Sequence, residues 1–294
     1  MSTTTLAGMS PVYDCTTESG RAEGIAAAVE VVRDGGVVVL PTDTVYGIGA
    51  DAFSAEAVAS VLAAKGRGRE MPPPVLVPSV RTVDGLATDI PAWARDLIRE
   101  FWPGPLTLVF KAQSSLMWDL GDTNGTVAVR MPQDDTALAL LSEVGPMAVT
   151  SANLTGQPPA TTITDAAAQL GASVAVYLDA GPTTSSEVST IIDCTGSEPE
   201  VLRAGAVTQQ QIDAVLHPAE PAEPAEPESA EPAEPEPEPE PAEPAESDDE
   251  PQPLRVDALA PTPDTPGTEP TQALELPADP TAERTSADHP GETR

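Results

Sequence analysis

Residues 37–49 read VVVLPTDTVYGIG, and this stretch decides the class of fold. Positions 37–40 form a continuous apolar run that Pro41 ends, a pattern typical of a strand buried on both faces. The polar residues 42–44 follow at the end of that strand, where side chains of open α/β sheets commonly face a ligand. A turn held by hydrogen bonds between these side chains and the backbone explains the same residues equally well. We expect a buried strand followed by a loop over residues 42–52.

Short apolar runs alternate with helical patterns as far as residue 217. Ser54 is typical of an N-cap for a helix at 55–64 that Gly66 ends, and Thr208 is typical of an N-cap for a last helix ending near Leu216. Further helices are predicted at residues 24–32, 91–101, 135–141 and 164–170, and strands at 75–77, 106–110, 126–131, 147–150, 174–178, 190–193 and 201–203. Because some neighbouring strands have no helix between them, we expect one twisted, mixed α/β sheet instead of a regular barrel or a doubly wound fold.

Charge and proline content divide the chain into two parts. Residues 1–217 carry 11 Lys and Arg against 25 Asp and Glu, and residues 218–294 carry 3 against 22, with 19 of the 34 prolines. The second part has no aromatic residue. Such a segment buries too little apolar surface to offset its chain entropy. We predict an irregular lead-in at residues 1–20, one α/β domain at 21–217, and a disordered, acidic Pro/Glu/Ala-rich tail at 218–294.

Cysteine usage and hydropathy exclude several classes of protein. Cys15 and Cys194 are the only cysteines and no Cys/His cluster occurs, so neither a disulfide scaffold nor a zinc site is expected. We see no signal sequence, and no segment reaches the ~20 apolar residues that span a bilayer. We therefore expect a cytoplasmic protein with no membrane partner and no metal ligands of its own. The net charge of −33 argues against a general nucleic-acid binder.

Two tripeptides are the best candidates for chemistry: KGR at residues 65–67 and SAN at residues 151–153. The basic pair can clamp phosphate, although basic residues at a helix C-terminus also complement the helix dipole. The hydroxyl and amide of the second follow a predicted strand, where a cap or an Asx-turn uses the same residues. Arg130 and Arg203, near strand ends, are candidate anion ligands or surface ion pairs. No histidine precedes His217, so a Ser-His-Asp triad is not expected, and no Walker A or G-x-G-x-x-G motif occurs.

Seven blocks follow one another between residues 41 and 205: PTDTVYGIG, KGR, GPLTLVF, TVAVRMP, TSANLTG, STIIDC and VLRAG. In this order they resemble the YrdC-like family of L-threonylcarbamoyladenylate synthases. The resemblance implies a twisted α/β catalytic domain with a concave, positively lined cavity. It also implies a nucleotidyltransferase reaction that condenses L-threonine, bicarbonate and ATP, with Mg²⁺, to threonylcarbamoyl-AMP and pyrophosphate. That reaction is the first step of the t6A modification of tRNA.

The same resemblance implies roles for individual residues. The catalytic set would be Lys65, Arg67, Ser151 and Asn153. The ATP contacts would come from this set together with Thr126 and Arg203. The threonine contacts would come from Thr44, Arg130, Ser151 and Ser189. Mg²⁺ would enter bound to ATP, and a threonylcarbamoyl-transferase complex would receive the product for transfer to tRNA, with weak direct tRNA binding as a further expectation.

The sequence departs from the family pattern in two places. Many members have a Pro-Leu-x-Val-His stretch after the basic pair, and Leu76 stands here in place of that substrate-binding His. The Ala-Glu-Pro tail replaces a second globular domain that some members carry, and it is either a solubilising spacer or a competitor of ATP for the basic cavity. The alternative function is an RNA-binding paralogue of the same fold without synthase activity. The intact KGR and SAN blocks favour the enzyme.

Overall fold

The computed structural model describes residues 10–218, which form a mixed sheet flanked by helices. The strands are β1 (Val12–Asp14), β2 (Val38–Leu40), β3 (Gly47–Asp51), β4 (Val75–Leu76), β5 (Ala87–Thr88), β6 (Leu106–Ala112), β7 (Thr126–Arg130), β8 (Met147–Ser151), β9 (Val176–Asp179), β10 (Thr190–Asp193) and β11 (Glu200–Arg203). The helices are α1 (Glu18–Arg33), α2 (Ala55–Ala64), α3 (Val80–Leu86), α4 (Ala92–Phe101), α5 (Asp135–Val144), α6 (Ile163–Leu170) and α7 (Gln209–Leu216). The tail predicted to be disordered lies outside the described residues, except for Pro218.

The strands form one sheet in the order β1-β9-β2-β3-β8-β4-β7-β6-β10-β11, and β5 pairs with β6. The pairs β1–β9, β2–β9, β4–β7 and β6–β10 are parallel, and the other pairs are antiparallel. This arrangement confirms the mixed α/β sheet predicted from the sequence. Within residues 10–218 no helix combines the length and the apolar character needed to cross a bilayer.

Two sequence predictions were wrong. The lead-in at residues 1–20 was expected to be irregular; residues 1–9 lie outside the described residues, but in the rest β1 pairs with β9 and α1 begins at Glu18 after its N-cap Thr17. Three residues of strand carry no local signal, because their stability comes from a partner more than 160 positions away in the chain. The loop expected over residues 42–52 contains β3, which includes two glycines, a residue type depleted in strands. Gly49 is required there because a Cβ would lie 2.6 Å from Cγ2 of Val149.

The two faces of the sheet are covered differently, and this difference creates a cavity. On one face Leu106, Leu108 and Phe110 of β6 are fully buried in a core that includes residues of α3, α4 and α7. Thr107 and Val109 alternate with them and point to the opposite face. There α1 and α5 pack with β2 and β9 in a second core. The rest of that face, from β3 across to β11, lines a cavity and is called the open face below.

Candidate functional site

The open face of the sheet holds a cavity of about 630 Å³. Its lining comes from strands and loops of the sheet face, including the loops that follow β2 and α2. The residues that could bind an anion or a hydroxyl there are Thr42, Thr44, Arg67, Thr107, Arg130, Thr150, Ser151, Ser189 and Arg203. The concave cavity lined by cationic side chains, expected from the sequence, is therefore present.

The KGR tripeptide ends α2 in a turn that sends its two basic side chains to different places. Gly66 adopts a left-handed conformation with φ of +61°. Its N–H donates to the carbonyl of Ala63, and the N–H of Arg67 donates to the carbonyl of Leu62 at 2.9 Å. These two bonds form a Schellman motif, which needs a glycine at its left-handed position. Lys65, before the turn, is buried, and Arg67, after it, reaches the cavity.

Lys65 lies beneath the SAN loop instead of lining the cavity. Its side chain is 1% exposed, and its ammonium donates to the backbone carbonyls of Ser151 and Asn153, the latter at 2.7 Å. A third bond reaches Oδ1 of Asn153 at 3.3 Å. Burial lowers the pKa of Lys65 to about 7, and the positive charge of Arg67 acts in the same direction. All three donors of the ammonium therefore hold the loop.

Asn153 is also occupied within the protein. Its Nδ2 donates to the carbonyls of Leu154 and Gln157, both at 2.8 Å, and its Oδ1 accepts from Lys65. The side chain is buried and does not line the cavity. The two tripeptides thus meet directly, with Lys65 and Asn153 fixing the loop and Ser151 presented on its cavity side.

Arg67 carries a buried donor without a partner. Its Nη1 donates to Oγ1 of Thr150 at 3.3 Å, but its Nε is buried and finds no hydrogen-bond acceptor among the described residues. Burial lowers the pKa of Arg67 from its ordinary value, and the carboxylate of Glu70 acts in the opposite direction. A buried, unpaired donor is costly, so an anionic ligand that accepts from it would relieve a penalty already present in the free protein.

Arg130 is held by three hydrogen bonds. Its Nε donates to the carbonyl of Gly104 at 3.0 Å and its Nη1 donates to Oγ1 of Thr44 at 3.1 Å. Its Nη2 forms an ion pair with Oδ1 of Asp43 at 2.5 Å. Burial lowers the pKa of Arg130 from its ordinary value, and Asp43 opposes that effect. The sequence suggested Arg130 and Thr44, but Asp43 was missed as a partner because 87 positions separate it from Arg130.

Arg203 and Ser189 form a third polar group at the far end of the cavity. Arg203 Nη2 donates to the carbonyl of Ser189 at 2.6 Å and to its Oγ at 2.9 Å. Thr107 Oγ1 lies 2.8 Å from the same Ser189 Oγ. The pKa of Arg203 is lowered by burial and, to a smaller extent, by the charge of Arg130. Thr107 was not a sequence candidate, although its position in the alternating run LTLVF places it on the cavity face.

The predicted site residues thus fall into two groups. Those lining the cavity are Thr44, Arg67, Arg130, Ser151, Ser189 and Arg203. Lys65 and Asn153 lie beneath it, and Thr126 lies outside its lining, with its hydroxyl donating to the carbonyl of Thr123 at 2.8 Å. Leu76, which stands where many family members have a histidine, lines the cavity as an apolar side chain.

Comparison with known proteins shows the family to which this chain belongs. The family model for the Sua5/yciO/yrdC domain, described as telomere recombination, matches residues 30–205. The chain belongs to the Sua5/YciO/YrdC family. A Mycobacterium tuberculosis protein provisionally named threonylcarbamoyl-AMP synthase is 54% identical over 208 residues, which cover 71% of this chain and 96% of that protein. The Bacillus subtilis threonylcarbamoyl-AMP synthase is 39% identical over 197 residues, covering 66% of this chain and 57% of that protein.

Solved structures of the Sua5/YciO/YrdC family share the fold. Pyrococcus abyssi Sua5 complexed with L-threonine superposes with a TM-score of 0.67 at 34% identity, covering 70% of this chain and 61% of that chain. This chain therefore spans about three fifths of the length of that Sua5. Escherichia coli YciO superposes with a TM-score of 0.63 at 24% identity over its whole length and 69% of this chain, which supports the fold alone.

Proposed function

We propose that the protein is a threonylcarbamoyl-AMP synthase. It would condense L-threonine, bicarbonate and ATP to threonylcarbamoyl-AMP and pyrophosphate, which makes it a nucleotidyltransferase. The relatives that carry this name support the proposal, as does the Sua5 structure that contains L-threonine. The observation that carries it is the convergence of Arg67, Arg130 and Arg203 on one cavity. Three cationic groups suit a reaction whose substrates are a carboxylate, a bicarbonate and a triphosphate.

The reaction needs positioning and charge stabilisation more than a general base. The amine of threonine adds to bicarbonate with loss of water, giving a carbamate that is already anionic. A carbamate oxygen then attacks the α-phosphorus while the bond to the β-phosphate oxygen breaks and pyrophosphate leaves. Fixed cations stabilise the charge that spreads over the phosphoryl oxygens during such a step. Among the described residues the only histidine, His217, ends α7 away from the cavity, which this chemistry permits.

Different residues of the cavity lining suit different substrates. We assign the threonine carboxylate to Arg130, because a guanidinium offers paired donors for a carboxylate and Thr44 supplies a hydroxyl beside it. We assign the triphosphate to Arg67, whose buried Nε lacks a partner, and to the neighbouring hydroxyl of Ser151. Arg203 would contact ATP, and Ser189, which accepts from Arg203, would contact threonine.

Magnesium would enter as the MgATP complex. Glu70 is the single carboxylate in the lining of the cavity, and no group of three or more His, Cys, Asp or Glu side chains clusters within the described part of the chain. Mg²⁺ commonly keeps several waters and binds through substrate phosphates with only one or two carboxylates from the protein. The residues present fit a metal carried by the triphosphate, which would neutralise charge on the leaving pyrophosphate.

Omission of single substrates tests the proposal. With ATP, L-threonine, bicarbonate and Mg²⁺ present, the purified full chain should release pyrophosphate, and leaving out threonine or bicarbonate should abolish that release. Pyrophosphate release that continues without threonine would contradict the proposal.

The product would be passed in the cytoplasm to a threonylcarbamoyl-transferase complex that acts on tRNA. A chain that binds tRNA with a steep salt dependence and shows no turnover would instead be the RNA-binding paralogue.

A further inference from the structure

Arg130 is a buried charge whose partner is equally buried. The side chains of Arg130 and Asp43 are 8% and 11% exposed, and Arg130 Nη2 lies 2.5 Å from Oδ1 of Asp43. Two charges withdrawn from water in this way remain stable only as a well-matched pair. A charge-neutralising change at Asp43 would therefore leave the guanidinium without its counter-ion.

Asp43 is itself fixed by the backbone. Its Oδ1 also accepts from the backbone N–H of Gln133 at 2.8 Å. Gln133 immediately precedes Asp134, the N-cap of α5, so this donor is anchored to the start of a helix. The carboxylate thus links the Arg130 side chain at the end of β7 to a rigid element, and the guanidinium has little freedom to rotate.

The hydrogen bonds of Arg130 leave part of its donor set free. A guanidinium has five N–H donors, and the bonds to Gly104, Thr44 and Asp43 use three of them. One N–H remains on each terminal nitrogen, which is the number that a bidentate carboxylate accepts. Arg130 lines the large cavity, whereas Asp43 lines a neighbouring cavity and not this one. Asp43 Oδ2 is buried and has no hydrogen-bond partner among the described residues, so towards a ligand in the large cavity Asp43 acts through Arg130.

We propose that Asp43 is a positioning residue that orients Arg130 for two-point binding of the carboxylate of the amino-acid substrate. The inference rests on the proposed function only in naming that substrate as L-threonine. Orientation of a charged donor fixes both its distance and its direction to the bound carboxylate. Loss of Asp43 should thus weaken amino-acid binding while the contacts to ATP remain.

The test is calorimetric titration of L-threonine into the full-length protein, with bicarbonate and α,β-methylene ATP present, an ATP analogue whose link between the α- and β-phosphates cannot be cleaved. Asp43→Asn keeps an oxygen acceptor for Arg130 and for Gln133 but removes the charge. We expect it to raise the dissociation constant for threonine about 10-fold or more, the size of effect seen when a charge-assisted hydrogen bond is lost. Asp43→Glu, which retains the charge, should restore part of that affinity. Affinity for the ATP analogue should change less than about threefold in both variants.

Thr162→Ala is the matched control for lost stability. Thr162 Oγ1 accepts from the N–H of Asp165 as the cap of α6, and its removal should lower stability without a direct effect on Asp43 or Arg130. Threonine affinity should stay unchanged in this variant.

Equal threonine affinity in Asp43→Asn and in the unaltered protein would overturn the inference, as would an equal loss of affinity for threonine and the ATP analogue. Binding is read without turnover, so an unaltered protein that binds threonine but releases no pyrophosphate contradicts only the proposed function. An unaltered protein that does not bind threonine contradicts both.

Discussion

Replacing Lys65 by methionine should loosen the SAN loop and lower activity, because the buried ammonium bonds to the loop and not to the cavity. Methionine has a similar length and no donors, so the two carbonyl oxygens of Ser151 and Asn153 and the Oδ1 of Asn153 lose their partner. Near pH 8.5, where Lys65 is mainly a neutral amine with two donors, we expect a loss of about 2–4 kcal/mol in the free energy of unfolding, since buried acceptors are left unpaired. Displacement of Ser151 by about 1 Å should lower the turnover rate by roughly 100-fold.

Lys65 should also make the free energy of unfolding depend on pH. Burial lowers the pKa of Lys65 from 10.5 to about 7, so above about pH 7 the folded protein releases a proton that the unfolded chain still binds. The free energy of unfolding should therefore rise with pH, by about 1.5 kcal/mol for this group between about pH 7 and 8.5. At higher pH the effect is opposed by Cys15, because burial raises the pKa of this thiol to about 11 and the unfolded chain ionises first. The methionine variant should lack the rise.

Two measurements and one control variant test the prediction for Lys65. Urea unfolding at several pH values gives the free energies, and native-state hydrogen exchange should show faster exchange of amides in residues 151–157 of the Lys65 variant. Lys111→Met is the matched control, because Lys111 is the only other lysine, is exposed and pairs with Asp89 at the surface. If the Lys65 variant kept its loop protected and lost only affinity for ATP, Lys65 would be a phosphate ligand and our reasoning would be refuted.

Further predictions concern the cavity wall and the sheet beneath it. Arg67→Ala should raise the KM for ATP by about 10-fold or more, with less effect on the KM for threonine, because the buried Nε is available to an anion. Steady-state kinetics with each substrate varied in turn would check this, and an unchanged KM for ATP would count against it. Gly49→Ala should destabilise the protein by about 1–3 kcal/mol, because the added Cβ would meet Val149 at 2.6 Å. Gly85→Ala in α3 should instead leave stability equal or raise it by up to about 1 kcal/mol, because a Cβ there meets nothing within 4 Å. Denaturant unfolding of the two alanine variants would test this contrast, and equal effects would argue against the close packing of β3 on β8.

The sequence predicted those elements whose signals are local. Ser54 caps α2 and Thr208 caps α7 with a capping box, as their positions before helical patterns indicated. The strands β1, β3 and β5 and the helix α3 were missed. The strands β1 and β5 depend on the partners β9 and β6, which are distant in the chain, and β3 contains glycines, which are depleted in strands. Local pattern therefore found the elements with their own caps and apolar runs, and long-range pairing decided the others.

The sequence also brought the right motifs together but did not show which side chains face the cavity. Lys65 and Arg67 are two positions apart, and only the left-handed turn at Gly66 separates a buried residue from a cavity residue. The direction of a side chain at the end of a helix depends on that turn and on the loop packed against it. Likewise, nothing in the spacing of Asp43 and Arg130 indicated that they form a buried pair.

The most direct test of the proposed activity follows the carbon of bicarbonate. The purified full chain is incubated with ¹³C-bicarbonate, ATP, L-threonine and Mg²⁺, and the adenylate product is identified by mass spectrometry while pyrophosphate is measured in parallel. We predict one labelled carbon in an adenylate that contains threonine, formed in equal amount to pyrophosphate and lost when threonine is omitted. Pyrophosphate without the labelled adenylate, or an adenylate that carries no label, would contradict the proposal that this cavity makes threonylcarbamoyl-AMP.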